Sequence, residues 1–372
     1  MPAALTALSA TTPTTAMVQV LAFDDFTALR VAAPELIGDT GEVFSSLDWF
    51  ETLSNHGFDP QARRVLLLAT KPGLPPVCLP VLADRELRSL SNFYSALFAP
   101  ISPMTAADSR DGNGDRSEQL TALAQHLYAA PQRWPLLCLH PLDQEGAFYR
   151  DFGDSLRRAG YWVDSFHCFA NWTLLLNGRN FEHYFSSLPS RLQNTIRRAQ
   201  RKLERDGQLS VLIHRDPGPA LDAAIADFES IYAASWKEPE PYPDFIGAWC
   251  RRAAASGRLR LGVLALDGQA LAAQIWLLDG GKASIFKLAY REGAQPYSPG
   301  SVLTAALMRQ VIDDDGVHEV DFLSGDDAYK QDWMSHRRER RGLIAFRRDS
   351  VRGLLAGTRH ALGKCLRAWR RG

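Results

Sequence analysis

Three apolar runs joined by two tight turns constrain this chain more than any other feature. Residues 261–266 are apolar and end in Asp267-Gly268, a pair that supplies the positive φ of a two-residue hairpin. Residues 271–278 form the second run and close on Asp279-Gly280-Gly281; a third covers 283–290. Turns this short join only antiparallel neighbours, so the spacing predicts a three-stranded meander. A polar stretch from 291 to 299 interrupts the pattern. Residues 301–312 then place Val302, Leu303, Ala306, Leu307, Val311 and Ile312 on one broad face, as in a helix lying on a sheet. Residues 319–323 read as a further strand, and a short helix is expected near Asp327. A strand that returns after a helix joins its sheet in parallel by a right-handed crossover. Two neighbouring parallel strands open a cleft at their carboxyl ends.

The first half repeats this order more loosely. Residues 65–69 and 77–82 flank a Lys71-Pro-Gly-Leu-Pro-Pro76 turn. A helix near 117–129, a strand at 136–140, a helix at 145–159 and strands at 161–166 and 172–176 follow. The recurrence points to duplication of a topology, without a residue-level repeat. At 372 residues the chain is long enough for two such domains. The expected division is a disordered Ala- and Thr-rich tail (1–20), a first domain (21–180), a second (181–348) and a basic amphipathic helix (349–372).

Composition narrows the function classes. A content of 46% hydrophobic and 23% charged residues is that of a globular chain. The 42 basic and 42 acidic residues cancel, so overall charge gives no pull toward nucleic acid. They are unevenly spread: residues 336–372 hold 12 basic side chains against Glu339 and Asp349, leaving the rest of the chain net acidic. No apolar run approaches the roughly 18 residues of a membrane span. The start lacks the basic and apolar regions of a secretory signal. Cys78, Cys138, Cys168, Cys250 and Cys365 are scattered without a CxxC pair, which fits free thiols in a reducing, cytoplasmic setting. There is no GxxxxGKS loop, no GxSxG elbow and no His or Cys cluster, so no metal is expected.

Four segments carry candidate chemistry. In Tyr297-Ser-Pro-Gly-Ser301, Ser298 suits an N-cap and Pro299 the first helical position. The N–H groups of Gly300, Ser301 and Val302 would then be free at a helix tip carrying about half a positive charge, a cradle for pyrophosphate. The plainer reading is a capped helix that binds nothing. In the segment 322–333, Asp326 and Asp327 are adjacent carboxylates whose repulsion could raise one toward the range of a general base. Tyr329 offers a phenol to protonate a leaving thiolate. Lys330 could neutralise a phosphate or orient a carboxylate, and Trp333 closes the segment as a substrate contact. The alternative there is a turn and a solvated helix. Residues 190–205 form a basic helix with a narrow apolar stripe of Leu192, Ile196, Ala199 and Leu203. Its Arg191 and Arg198 share a face that could receive an anionic sugar, a nucleotide or an acidic partner, or merely water. The tail repeats Val351, Leu354, Leu355, Leu362, Cys365, Leu366 and Trp369 at helical spacing among arginines. Such a helix can lie on an anionic membrane surface or pack on its own domain.

With these residues in view, the chain resembles the GNAT acyltransferase superfamily, most of all its CelD/BcsL-type branch, associated with bacterial cellulose and exopolysaccharide production. The meander, the Tyr297-Ser-Pro-Gly-Ser301 helix start and the strand leading to Gly325-Asp-Asp-Ala-Tyr-Lys330 carry that resemblance. The basic segment 190–205 is similar to a helix of Fem-type peptidoglycan aminoacyltransferases. The resemblance spans about residues 40–348, most specifically 185–345. It implies an α/β (α+β) fold of tandem GNAT-like domains, each a mixed, mostly antiparallel sheet with helices on both faces. It also implies acetyl-CoA, or another acyl-CoA, as co-substrate of the second domain. Phe286, Lys287, Leu288 and Ala289 would pair through their backbone with the pantetheine arm, and Gly300, Ser301 and Val302 would bind pyrophosphate. The usual Q/RxxGxG/A loop is replaced here by residues 295–300, with one glycine and two prolines. Asp326 or Asp327 would deprotonate an amine or hydroxyl acceptor, and Tyr329 would return a proton to sulfur. Trp236 and Tyr242 would line the acceptor pocket. The expected acceptor is a small molecule or saccharide of envelope polysaccharide metabolism, and the basic tail would reach a membrane surface or a membrane-bound synthase. A Fem-type relative would instead use a charged tRNA, and a non-catalytic scaffold would use only its tail.

Overall fold

The computed structural model describes residues 17–38, 40–104 and 116–369. Most of the expected tail lies outside these residues; its last two positions already belong to the first strand. The strands are β1 (Gln19–Phe23), β2 (Arg64–Lys71), β3 (Leu74–Ala83), β4 (Leu87–Ser89), β5 (Leu136–Asp143) and β6 (Tyr161–Leu175) in the first half. The second half adds β7 (Leu209–His214), β8 (Leu259–Leu266), β9 (Gln269–Asp279), β10 (Lys282–Tyr290), β11 (Glu319–Ser324) and β12 (His336–Arg347).

All twelve form one sheet in the order β1-β2-β3-β4-β5-β12-β6-β11-β10-β9-β8-β7. Read inward from either edge, the sheet gives the same plan: an edge strand, a meander, a parallel return and a final strand. The final strands are exchanged between the halves. β12 pairs with β5 of the first half and β6 with β11 of the second, and both run antiparallel to each other at the centre. Each half therefore has the expected mixed, mostly antiparallel sheet, but the two are continuous. Residues 336–347, counted with the second domain in the sequence, lie between β5 and β6. The strands expected separately at 161–166 and 172–176 are one strand, because β12 gives their intervening residues a partner along the whole length.

Helices cover both faces. The first half contributes α1 (Phe26–Ala32), α2 (Leu47–His56), α3 (Ser117–Ala129) and α4 (Ala147–Ala159); Arg64 of β2 reaches α2, while Val65 and Leu67 meet α3 on the opposite face. In the second half α5 (Phe181–Ser187) and α6 (Ser190–Asp206) share one core with the later α9 (Pro299–Arg309). The helices α7 (Pro219–Ala233) and α8 (Pro243–Ala255) belong to the other core, where α8 meets α2. The stripe Leu192, Ile196, Ala199 and Leu203 of α6 is buried as its spacing requires. The expected helix 301–312 is α9 followed by a single π-turn (Gln310–Asp314), and that near Asp327 is one 3-10 turn (Ala328–Asp332).

The halves are locked by an aromatic cluster and a charge cluster. Trp49 of α2 meets Trp249 of α8 edge to face, centroids 5.0 Å apart, and Phe286 of β10 at 5.9 Å. Such pairs add about 0.5–1.5 kcal/mol each beyond burial. At the rim of this contact Asp48 accepts from Arg252 at 2.6 Å and from Arg30 at 3.0 Å.

Candidate active site

β10 and β11 run parallel and pair only at Lys282–Glu319, Ala283–Val320 and Ser284–Asp321. Beyond Ser284 they diverge, and two local irregularities explain why. A bulge on β10 between Ile285 and Lys287 gives Phe286 no counterpart on β9, which bends the strand away. On β11 the register to β6 slips between Asp321 and Ser324, and Leu323 stands at φ +56. A left-handed leucine is costly and persists only where its surroundings enforce it.

Asp321 does the enforcing. It is fully buried, and its Oδ1 accepts from the Leu323 N–H and from Asn171 Nδ2, each at 2.6 Å. The same Asn171 amide donates to the Leu323 carbonyl at 2.6 Å. The other Asp321 oxygen accepts from Arg338 of β12 at 2.6 Å, and Arg340 lies 3.8 Å away. Burial alone would raise this carboxyl, yet Arg338, Lys282 and Arg340 with the Asn171 hydrogen bond hold it below the ordinary carboxylate range. None of this network was expected from sequence. Asn171, Asp321 and Arg338 lie far apart along the chain and meet only through the strand exchange.

The divergence leaves a cleft of about 390 Å³ lined by Phe286, Lys287, Leu288, Phe322, Asp327, Tyr329 and Lys330, with Phe93, Tyr94, Trp236 and Lys237 on its far wall. Three lysines face it in unequal circumstances. Lys287 donates to Glu240 at 2.6 Å and sits 4.6 Å from the Phe93 ring centroid. Lys330 is buried and donates to the Ser324 carbonyl, with Asp327 at 3.2 Å. Burial draws both ammonium groups down, the carboxylates opposing. Lys237 has no ion pair among the described residues; burial, then the charge of Lys287, lowers its ammonium to about 8. Tyr329 stands edge-on to Phe322, and burial together with Asp327 pushes its phenol up to about 12.

The expected residues divide. Asp327, Tyr329, Lys330 and Trp236 converge on the cleft with residues 286–288. Asp326 turns away: Arg337 holds it at 2.9 Å and Trp172 Nε1 donates to it at 2.8 Å, which lowers its pKa and removes the expected repulsive partner of Asp327. Trp333 is buried in the core instead, its carbonyl accepting from Tyr184 at 2.9 Å. Tyr242 packs on the core beside Tyr94, which donates to its carbonyl at 3.2 Å. Ala289 is buried and pairs with Ala273 of β9. Arg191 and Arg198 are exposed on α6, away from the cleft.

The helix tip also differs from the expected cradle. Ser298 adopts a left-handed conformation and its hydroxyl caps nothing. Its carbonyl accepts from the N–H groups of Ser301 and Val302 at 3.1 and 3.3 Å. Of the three expected donors, Gly300 alone keeps a free N–H among the described residues. A cation missed at this place stands nearby: Lys202 of α6 donates to the Pro296 carbonyl at 3.4 Å and lies 4.4 Å over the Tyr297 ring. Lys237 and Glu240 lie between Trp236 and Tyr242, in a segment whose rings and prolines alone carried the expectation. Phe93 and Tyr94 carry no such signal, since only the packing of the two halves brings them here.

An antiparallel meander and a helix thus lead to a parallel strand that parts from β10 and leaves a cleft beside Tyr329. Residues 190–331 match the family model described as "Acetyltransferase (GNAT) domain". A comparison with curated proteins found no match. Among solved structures the chain is similar to FemX, at 11% identity over 88% of this chain and 96% of that one, with a TM-score of 0.58. It is also similar to the C-terminal domain of a protein described as a lysylphosphatidylglycerol synthetase from Agrobacterium fabrum, at 12% identity over 86% and 92%, TM-score 0.52. A conserved protein of unknown function from Bacteroides thetaiotaomicron gives 9% identity over 88% and 100%, TM-score 0.52. At these identities the likeness is one of fold.

Proposed function

We propose that this chain transfers an acyl group from acetyl-CoA, or another acyl-CoA, directly to an amine or hydroxyl acceptor. The observation that carries this reading is the open edge of β10. From Ile285 onward its backbone has no pairing partner on the β11 side, so an extended pantetheine arm can add there as a strand would. The Gly300 N–H, the helix dipole and Lys202 supply the positive end for a pyrophosphate. Acceptor and donor meet between Lys237 and Tyr329. Lys237 in its neutral form takes the proton from the attacking amine or hydroxyl as the new acyl bond forms. Tyr329 gives its proton to the sulfur as the carbon–sulfur bond breaks, and solvent restores both groups. Asp327 holds Lys330 in place rather than acting as base. The acceptor class, a saccharide of envelope polysaccharide or cellulose metabolism, is supported by the sequence resemblance alone.

If Lys237 is the base, kcat/KM rises with pH and levels off above about 8. In Lys237→Met the rise should vanish and the rate should fall about 10²-fold, measured by thiol release against pH. An unchanged profile would remove Lys237 from the reaction.

One observation favours a second reading. Arg191, Arg197, Arg198, Arg201 and Arg205 are all exposed on α6, and the fold is shared with FemX. An aminoacyl-tRNA donor would use such a surface, with binding that weakens steeply as salt rises. Salt-independent or absent tRNA binding would eliminate it.

A further inference from the structure

The last described helix, α10 (Val351–Trp369), turns an apolar face to solvent. Its inner face is built from small residues. A Cβ on Gly353 would lie 2.2 Å from the Arg347 carbonyl oxygen, and one on Gly357 would lie 2.6 Å from the Trp162 ring. On the same side His360 and Lys364 both meet the Asp164 carboxylate at 2.9 Å. These contacts fix the rotation of the helix, so the opposite face cannot roll inward. At helical spacing that face carries Val351, Leu354, Leu355, Leu362 and Leu366, each between 47% and 75% exposed. A continuous apolar stripe of this kind marks an interaction surface.

Charge identifies the partner. Arg348, Arg352 and Arg359 are exposed and have no ion pair among the described residues, and residues 351–369 contain no Asp or Glu. A second copy of the helix would bring like charges and no carboxylate to meet them. An anionic lipid surface offers both an apolar layer and negative charge. We propose that α10 is a membrane-surface anchor, its leucines at the headgroup–acyl boundary and Arg352 and Arg359 on the lipid phosphates. No helix among the described residues is long and apolar enough to cross a membrane, so α10 lies on the surface rather than spanning it. This inference stands on α10 alone and does not depend on the reaction proposed above.

The test is co-sedimentation of the full chain with vesicles of phosphatidylcholine containing about one-third phosphatidylglycerol, against phosphatidylcholine alone. The chain should pellet with the anionic vesicles and release as salt rises. Leu355→Asp with Leu362→Asp should weaken binding at least about tenfold while leaving the melting temperature intact, because both side chains are exposed. Arg352→Gln with Arg359→Gln should abolish the preference for phosphatidylglycerol. Failure of the wild-type chain to pellet, or equal binding by the double aspartate variant, would overturn the proposal. A wild-type dimer that the aspartate variant splits, with neither protein on vesicles, would assign the face to a second copy instead.

Discussion

Asp321→Ala should lower the free energy of unfolding by about 3–5 kcal/mol, because it strands buried cations without their carboxylate. Arg338 and Arg340 converge on this one side chain, and Lys282, held also by Glu42, lies in its field. The same substitution leaves the Leu323 N–H without its acceptor, and it leaves the Asn171 amide, which holds the Leu323 carbonyl, without its carboxylate. The left-handed turn at Leu323 then loses its main restraint, and β11 can close on β10. Urea unfolding should therefore show a lower midpoint with an unchanged slope, and residual folded protein should have lost affinity for an acyl-CoA. The contribution has a pH signature as well. The folded-state carboxyl titrates below its ordinary value of 3.8, so its stabilisation is complete above that value and is lost as pH falls through the folded-state pKa. A loss under about 1 kcal/mol, the level of an exposed pair, would mean that Asp321 does not hold the cleft between β10 and β11 open.

Tyr329→Phe should reduce kcat about 10²–10⁴-fold, the usual worth of a positioned general acid, with little change in the KM for the donor. The phenol lines the cleft and contacts Phe322 through its ring edge, a contact that phenylalanine keeps. A phenol raised to about 12 stays protonated across the physiological range and has a proton to give. Steady-state kinetics with a chromogenic thiol assay checks this. An unchanged kcat would mean that the sulfur departs as thiolate or takes its proton from water.

What could be read in advance follows the range of the interactions involved. The ends of α6 and α3 are set by neighbours in sequence and lie where the pattern placed them. The three strands 261–290 also follow from local turns, and the parallel return of β11 from the handedness of crossovers. β12 was invisible because His336-Arg-Arg-Glu-Arg-Arg341 reads as a charged surface run. In the fold its arginines are satisfied from other strands: Arg338 by Glu319 and Asp321, Arg340 by Asp143. The exchange of β6 and β12 is a tertiary arrangement with no local trace. The same limit explains the site. Asp327, Tyr329 and Lys330 were identifiable because they follow one strand end. The Asp321 network and the far wall from Phe93, Tyr94 and Lys237 needed both halves assembled. Asp326 shows the opposite failure: adjacency to Asp327 suggested repulsion, while Arg337, eleven positions on, neutralises it.

Isothermal titration of the full chain with acetyl-CoA asks most directly whether the gap between β10 and β11 receives a thioester. A saturable heat for one site is expected, abolished when Leu288→Trp fills the gap and leaves a folded protein. No heat at high protein concentration, or equal binding by the filled variant, would contradict the account.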